Sequence, residues 1–409
     1  MTKPGCAARR GDVVSVLVMP PRCGHMPQPG HIILVLLLTA FLSELSTARA
    51  SDADGTAAGR FSDLLAAVQE QRSGAGAGPD VGAGCPASQW TSGEYALSRD
   101  VGERRFRVYV PNGYDPQRPA PLILAFHGWG GDESEFLGKS VVTEELDQRG
   151  MVLIAPVGLG PEEPGRSPAS WSFSGSTTGL DGDAVNPDVA GDTNAICDDA
   201  RTNDYTYPSC SGVAANGCSW TQCSDNDLDY AVALVAAART NLCIDEARVY
   251  AVGGSNGGMF TWDLGRAAVP AQTFRAIASL IGLPHRGYLE PPVRPGGMPA
   301  LLITGTGDRT VPPGEWGDKG FTTTSDLDAY YYTGASAITE VWAEAHGCDT
   351  SAAPRAVEVG VENLDCRGWN SCSGGSPWPP VLDCRRDMGH VYGLPWSWPL
   401  ILDFFQQHQ

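Results

Sequence analysis

Gly253-Gly254-Ser255-Asn256-Gly257 fits G-x-S-x-G, a spacing that can make a serine into a nucleophile. Arg248 to Val252 ahead of it reads as a short β run, and Thr261 to Ala268 behind it can continue as a helix. A strand-to-helix turn this sharp leaves no room for side chains beside the serine, so Gly253 and Gly257 are sterically required. The turn lifts the Ser255 hydroxyl over the sheet edge. The helix N-terminus behind it aims backbone N–H groups at developing negative charge. A glycine-rich turn with a bystander serine has the same spelling, so partners elsewhere must decide between the two.

Seven histidines are available as the base. His25 and His31 fall in the N-terminal region, His408 is at the frayed end, and His127 belongs to a glycine-rich loop. His285 comes too soon after the post-elbow strand, and His346 reads as a helix end. His390 follows the last strand-like run, Pro380 to Cys384, and precedes an apolar helix over Trp398 to Gln407. For the acid, Asp308 follows the apolar run Pro299 to Thr304. Asp326 and Asp328 are weaker because no strand closely precedes them. Ser255, Asp308 and His390 thus stand in the chain order of a nucleophile–acid–base triad. Such a set performs acyl transfer: the histidine takes the serine proton, the acid fixes the tautomer, and water later clears the acyl-enzyme. Pro121 to Phe126 is an apolar run ending at His127-Gly-Trp129-Gly-Gly131. An amide of that loop, at Trp129 or an adjacent glycine, and the amide of Asn256 are the expected oxyanion hole. No metal or cofactor is called for.

Positioning these residues needs buried parallel strands. Pro121 to Phe126 and Met151 to Pro156 are continuously apolar, as strands covered on both faces are. Phe106 to Val110 alternates as a half-exposed strand does, and Leu228 to Thr240 has helical spacing. Alternating strand and helix signals predict an α/β fold with a mostly parallel central sheet flanked by helices. Ligands bind beyond the carboxyl ends of such strands, where Asp308 would sit.

The 409 residues are 42% hydrophobic, enough for a large core, and carry a net charge of −19. That charge argues against nucleic acid or an anionic membrane as partner. Ile32 to Leu42 is an apolar run too short to span a bilayer, and Ala48-x-Ala50 follows it as a small-residue cleavage pattern. We read residues 1–50 as a secretory signal peptide, with translation starting at Met1 or Met26, and no membrane contact after cleavage. Residues 51–84, rich in Ala and Gly, read as a flexible leader, and residues 85–409 as the catalytic domain. Of twelve cysteines, Cys6 and Cys23 precede the apolar run. The even remainder, Cys85 onward, could close about five disulfides in a secreted chain. Zinc is the competing use of a pair such as Cys218 and Cys223, but no second pair or histidine stands nearby.

Residues 158–224 form a long Cys-rich insertion. Asp181 and Asp183 lack the spacing of a calcium loop. Trp171, Phe173, Tyr205, Tyr207 and Trp220 are candidates to line a substrate cleft or to pack the insertion.

Taken together, the chain resembles secreted esterases of the feruloyl esterase and polyhydroxybutyrate depolymerase type, within the α/β-hydrolase superfamily. The matching pieces are Tyr109-Val-Pro-Asn-Gly-Tyr-Asp-Pro116, His127 to Gly131, Asn241 to Tyr250, Gly253 to Gly258, Gly305 to Asp308 and Met388 to His390. The resemblance implies Ser255 as nucleophile, Asp308 as acid and His390 as base. It implies a feruloyl-esterase-like enzyme acting on xylan-linked or other polymeric esters. Polyhydroxybutyrate depolymerase and acetyl xylan esterase are alternatives, and a catalytically inactive hydrolase-like binding protein is the alternative of a different class. The 158–224 insertion departs from the pattern. Cysteines do not directly flank Ser255 and His390, which disfavours the tannase-like subgroup. Oligomeric state is not readable from these features.

Overall fold

Residues 85–87, 89–160, 169–176, 196–197, 220–222, 227–324, 330–372 and 378–409 are described by the structure, a computed structural model. They belong to one compact unit, Ala83–Gln409. The signal segment, the leader, and most of the 158–224 insertion with Asp181, Asp183, Tyr205, Tyr207, Cys218 and Cys223 lie outside the described residues. So do Asp326 and Asp328.

The elements run in order β1 (Gly93–Arg99), β2 (Gly102–Tyr109), β3 (Ala120–Phe126), α1 (Ser134–Leu137), α2 (Ser140–Arg149), β4 (Val152–Pro156) and α3 (Asp227–Asn241). Then come β5 (Ile244–Gly254), α4 (Asn256–Arg266), α5 (Ala268–Thr273), β6 (Ala276–Leu280) and β7 (Ala300–Gly305). The last third adds β8 (Phe321–Thr323), β9 (Tyr331–Thr333), α6 (Ala335–Ala345), β10 (Arg355–Ala356), β11 (Leu364–Gly368), β12 (Val381–Arg386) and α7 (Leu394–Gln407). One sheet takes the order β1-β2-β4-β3-β5-β6-β7-β12-β11-β10, and β8 pairs only with β9. Pairing is parallel from β4 through β12 and antiparallel at both edges.

The parallel centre follows from the apolar runs. Successive strand side chains point to opposite faces, so β3 sends Leu122, Leu124 and Phe126 into one core and Ile123 and Ala125 into the other. The first core holds Leu234 of α3, Phe260 and Trp262 of α4, and Trp342 of α6. The second holds Leu146 of α2 and Trp398, Ile401 and Phe405 of α7. Each fully buried Leu, Ile or Phe contributes about 1.5–3 kcal/mol through area removed from water. A polar residue in the middle of β3 would therefore sit unpaired in one core or the other, according to its position.

Two boundaries moved. The helix behind the elbow begins at Asn256 rather than Thr261, because the turn consumes no residue after Ser255. The terminal helix begins at Leu394, a turn before Trp398, with a proline in its first positions, where a missing N–H costs nothing.

Cys85–Cys243 ties the start of the unit to the approach of β5, across 158 residues of chain. Cys366–Cys384 joins β11 and β12 at positions that face each other in the ladder, and Cys348–Cys372 links the end of α6 to the loop after β11. Cys197 is disulfide-bonded as well. In the chain-entropy picture, closing loops of these lengths stabilises the fold by about 3–5 kcal/mol each. No helix among the described residues is long and apolar enough to cross a membrane.

Candidate active site

The elbow is built as the glycines require. Strand β5 ends at Gly254, and Ser255 turns through φ 52°, ψ −117° before α4 starts. A non-glycine residue there costs about 1–3 kcal/mol and persists only where its surroundings hold it. They do: Ser255 N–H donates to Leu280 O at 2.8 Å, and its carbonyl accepts from Met259 N–H at 2.8 Å. A Cβ on Gly253 would collide with the Gly257 carbonyl, and one on Gly257 with the Phe126 carbonyl. Both glycines are therefore there for close backbone approach.

The structure brings together all three residues the sequence singled out. His390 Nε2 lies 2.8 Å from Ser255 Oγ, and His390 Nδ1 lies 2.7 Å from Asp308 Oδ2. A carboxylate can only accept, so Nδ1 carries the proton and the Nε2 lone pair faces the serine hydroxyl. The other oxygen of Asp308 accepts the amides of Thr310 and Val311, each at 2.9 Å. Asp308 is 3% exposed, whereas the His390 side chain is 26% exposed. Asp308 is thus sealed and fixed while the His390 ring opens to solvent. Their loops, after β7 and β12, are tied together by Gly307 N–H to Met388 O at 3.0 Å and Thr306 N–H to Arg386 O at 2.8 Å.

The loop after β3 is equally constrained. Gly128 O accepts the His127 ring at 2.6 Å and Gly131 N–H at 3.0 Å. In a trans peptide the next N–H points opposite that carbonyl, so the direction of the Trp129 amide is set. The amides of Gly128, Gly130 and Gly131 donate to Glu135, Ala169 O and Gly128 O. His127 Nε2 accepts Gly158 N–H at 2.8 Å, which assigns the proton to Nδ1, and burial pushes its pKa down. Asn256 begins α4, where backbone N–H groups have no intrahelical acceptor. Its side chain grips Trp171: Oδ1 accepts Trp171 N–H at 2.8 Å and Nδ2 donates to Trp171 O at 3.0 Å.

Of the insertion's aromatic candidates, the three described ones, Trp171, Phe173 and Trp220, are buried in the core. Trp171 is fully buried against Phe126 and Phe260, its indole donating to His127 O. Phe173 and Trp220, also buried, surround His285 together with Tyr330 and Tyr332. Large apolar rings whose indole N–H groups find an acceptor, as those of Trp171 and Trp220 do, gain most from full burial. The sequence reading missed Glu135 and Tyr392: the Tyr392 hydroxyl donates to Glu135 Oε2 at 2.6 Å beside the Gly128 amide. No spelled motif carries either residue. Tyr392's place two residues beyond the base was the only signal.

His285 makes a stability prediction. Trp220 Nε1–H donates to its Nε2 at 3.1 Å, so Nδ1–H donates to Tyr331 O at 3.1 Å, and burial pushes its pKa down to about 4. Above pH 6.5, the ordinary histidine value, both folded and unfolded states are neutral here. As pH falls below 6.5 the unfolded chain takes up the proton first, and the loss of stability saturates below pH 4. The expected loss from this residue is roughly 3 kcal/mol. Urea denaturation at pH 7 and pH 4.5 checks it: His285→Gln should shrink the difference without abolishing it, since burial also pushes the pKa values of His127, His346 and His408 down, and an unchanged difference would remove His285 as a source.

A ten-stranded sheet with a parallel centre, a serine elbow after β5, an acid after β7 and a histidine after β12 defines the α/β-hydrolase fold. Solved structures similar to this chain include an acetyl xylan esterase from Aspergillus awamori, at 14% identity over 77% of this chain and 99% of that one, with a TM-score of 0.45. A ferulic acid esterase from Anaeromyces mucronatus is similar at 16% identity over 57% and 78%, TM-score 0.34. A poly(3-hydroxybutyrate) depolymerase from Bordetella parapertussis is similar at 15% identity over 55% and 70%, TM-score 0.31. No protein-family model matches the chain, and no curated protein matches its sequence.

Proposed function

We propose that this protein is a secreted serine carboxylic-ester hydrolase, feruloyl-esterase-like, acting on xylan-linked esters. The observation that carries the reading is the hydrogen-bonded line Ser255–His390–Asp308 at a strained elbow. His390 Nε2 takes the Ser255 proton as Oγ bonds to the ester carbonyl carbon. The carbonyl oxygen, now negative, is met by the amides of Asn256 and Trp129. Collapse breaks the bond to the alcohol oxygen, which leaves with the proton held by His390. Water then repeats the sequence on the acyl-enzyme and releases the acid. Disulfides at Cys85–Cys243, Cys348–Cys372 and Cys366–Cys384 support an oxidising, extracellular setting. The net charge of −19 argues against nucleic acid as the substrate.

The acyl group rests on the sequence resemblance, so a panel tests it. Methyl ferulate, acetylated xylan and polyhydroxybutyrate are compared by kcat/KM or product release. Methyl ferulate is expected to be turned over best. Faster deacetylation of xylan, or release of hydroxybutyrate alone, would move the assignment to the acetyl xylan esterase or depolymerase reading.

A further inference from the structure

Tyr392 touches two parts of the site at once. Its ring lies against Gly254, the residue before the nucleophile, so closely that a Cβ on Gly254 would collide with it. Its hydroxyl reaches Glu135 Oε2 at 2.6 Å, and the same carboxylate oxygen accepts the Gly128 amide at 2.9 Å. A Cβ on Gly128 would stand 2.6 Å from the Tyr392 hydroxyl, so the ring tip also abuts the loop backbone directly. Tyr392 is itself only two residues beyond His390. Phe136, next to Glu135, stacks on the Tyr392 ring with centroids 5.7 Å apart, and Ser397 Oγ donates to the Tyr392 carbonyl at 2.8 Å. The tyrosine is thus held at its ring, its backbone and its hydroxyl.

We infer that Tyr392 and Glu135 are a positioning pair that sets the 127–131 loop at a fixed distance from the nucleophile elbow. The inference rests on the ester-hydrolase reading, because the loop's amide matters only where an oxyanion forms. Neither side chain need touch substrate. Their joint action works through Gly128. With its N–H held by Glu135 and its carbonyl by His127 and Gly131, the peptide that follows has one orientation. Loss of Glu135 removes the acceptor of the Gly128 N–H, and loss of the Tyr392 hydroxyl removes a bond that fixes the carboxylate holding it. Displacing an oxyanion donor by a fraction of an ångström weakens its hold on the transition state far more than its hold on the ground state.

The test is a double-mutant cycle on the full chain. Tyr392→Phe keeps the ring on Gly254 and removes only the hydroxyl; Glu135→Ala removes the shared acceptor. Each is expected to lower kcat about tenfold with KM within about twofold, a smaller loss than deleting an oxyanion donor outright. The double variant should lose no more than the worse single one, because both act through one contact. Glu135→Gln keeps an acceptor for both donors and should recover most of the loss seen with alanine. A boronic acid, which forms a tetrahedral adduct on the serine, should bind both single variants about tenfold more weakly. Assays run well below the thermal midpoint of each variant separate this from simple destabilisation. Wild-type turnover with Tyr392→Phe equally active, or losses that add in the double variant, would overturn the pair. A wild-type protein that neither hydrolyses esters nor binds the boronate would instead overturn the ester-hydrolase reading.

Discussion

Ser255→Ala is expected to lower kcat on an activated aryl ester by about 10⁵–10⁶, with the folded state retained. The change removes one oxygen, whose hydrogen bond in the structure is to His390. The elbow is held instead by backbone bonds to Leu280 and Met259 and by the glycines around it, none of which need the hydroxyl. Alanine inherits the same positive φ, so the strain of the turn is unchanged. A near-native circular dichroism spectrum and thermal midpoint, beside abolished turnover, would be the joint signature. Residual activity above a hundredth of wild type would point to a different nucleophile.

Asp308→Asn should cost about 10⁴ in kcat, and the structure says why so small a change does so much. One carboxylate oxygen accepts two amides, from Thr310 and Val311, and the other accepts His390 Nδ1–H. An asparagine must keep its carbonyl oxygen toward the two amides. Its NH₂ group then faces His390 Nδ1, which can accept that bond only as the unprotonated nitrogen. The proton moves to Nε2 and points at the Ser255 hydroxyl, so the base no longer has a lone pair to take the proton. The imidazolium formed during reaction also loses its counter-charge. The measurement is the kcat/KM profile against pH; a loss below tenfold would mean that Asp308 does not orient the base.

Much of this was legible in the residues because each signal had one physical source. The apolar runs at Pro121 to Phe126 and Pro299 to Thr304 read as buried strands, and they are β3 and β7. Gly253 and Gly257 announced a backbone contact that the structure contains. His390 and Asp308 were singled out by chain order, and they lie after β12 and β7, which are neighbours in the sheet. The antiparallel rim was not seen: β1, β10 and β11 carry too little apolar contrast to stand out from loops. The insertion's aromatic residues were ambiguous because ring type alone does not distinguish a cleft wall from a core. Burial of Trp171 depends on Asn256 and His127, residues far from it in sequence. Glu135 and Tyr392 were invisible for the same reason. Their meaning lies in a contact across 257 positions that no local spacing encodes.

The proposed chemistry needs Ser255 to be a nucleophile activated by His390. Treating the folded protein with a fluorophosphonate and measuring its intact mass, followed by peptide mapping, tests it most directly. One adduct per chain on the peptide holding Ser255, absent in Ser255→Ala and strongly slowed in His390→Ala, is the expected result. No adduct on the native protein, or an adduct on another residue that persists in Ser255→Ala, would contradict it.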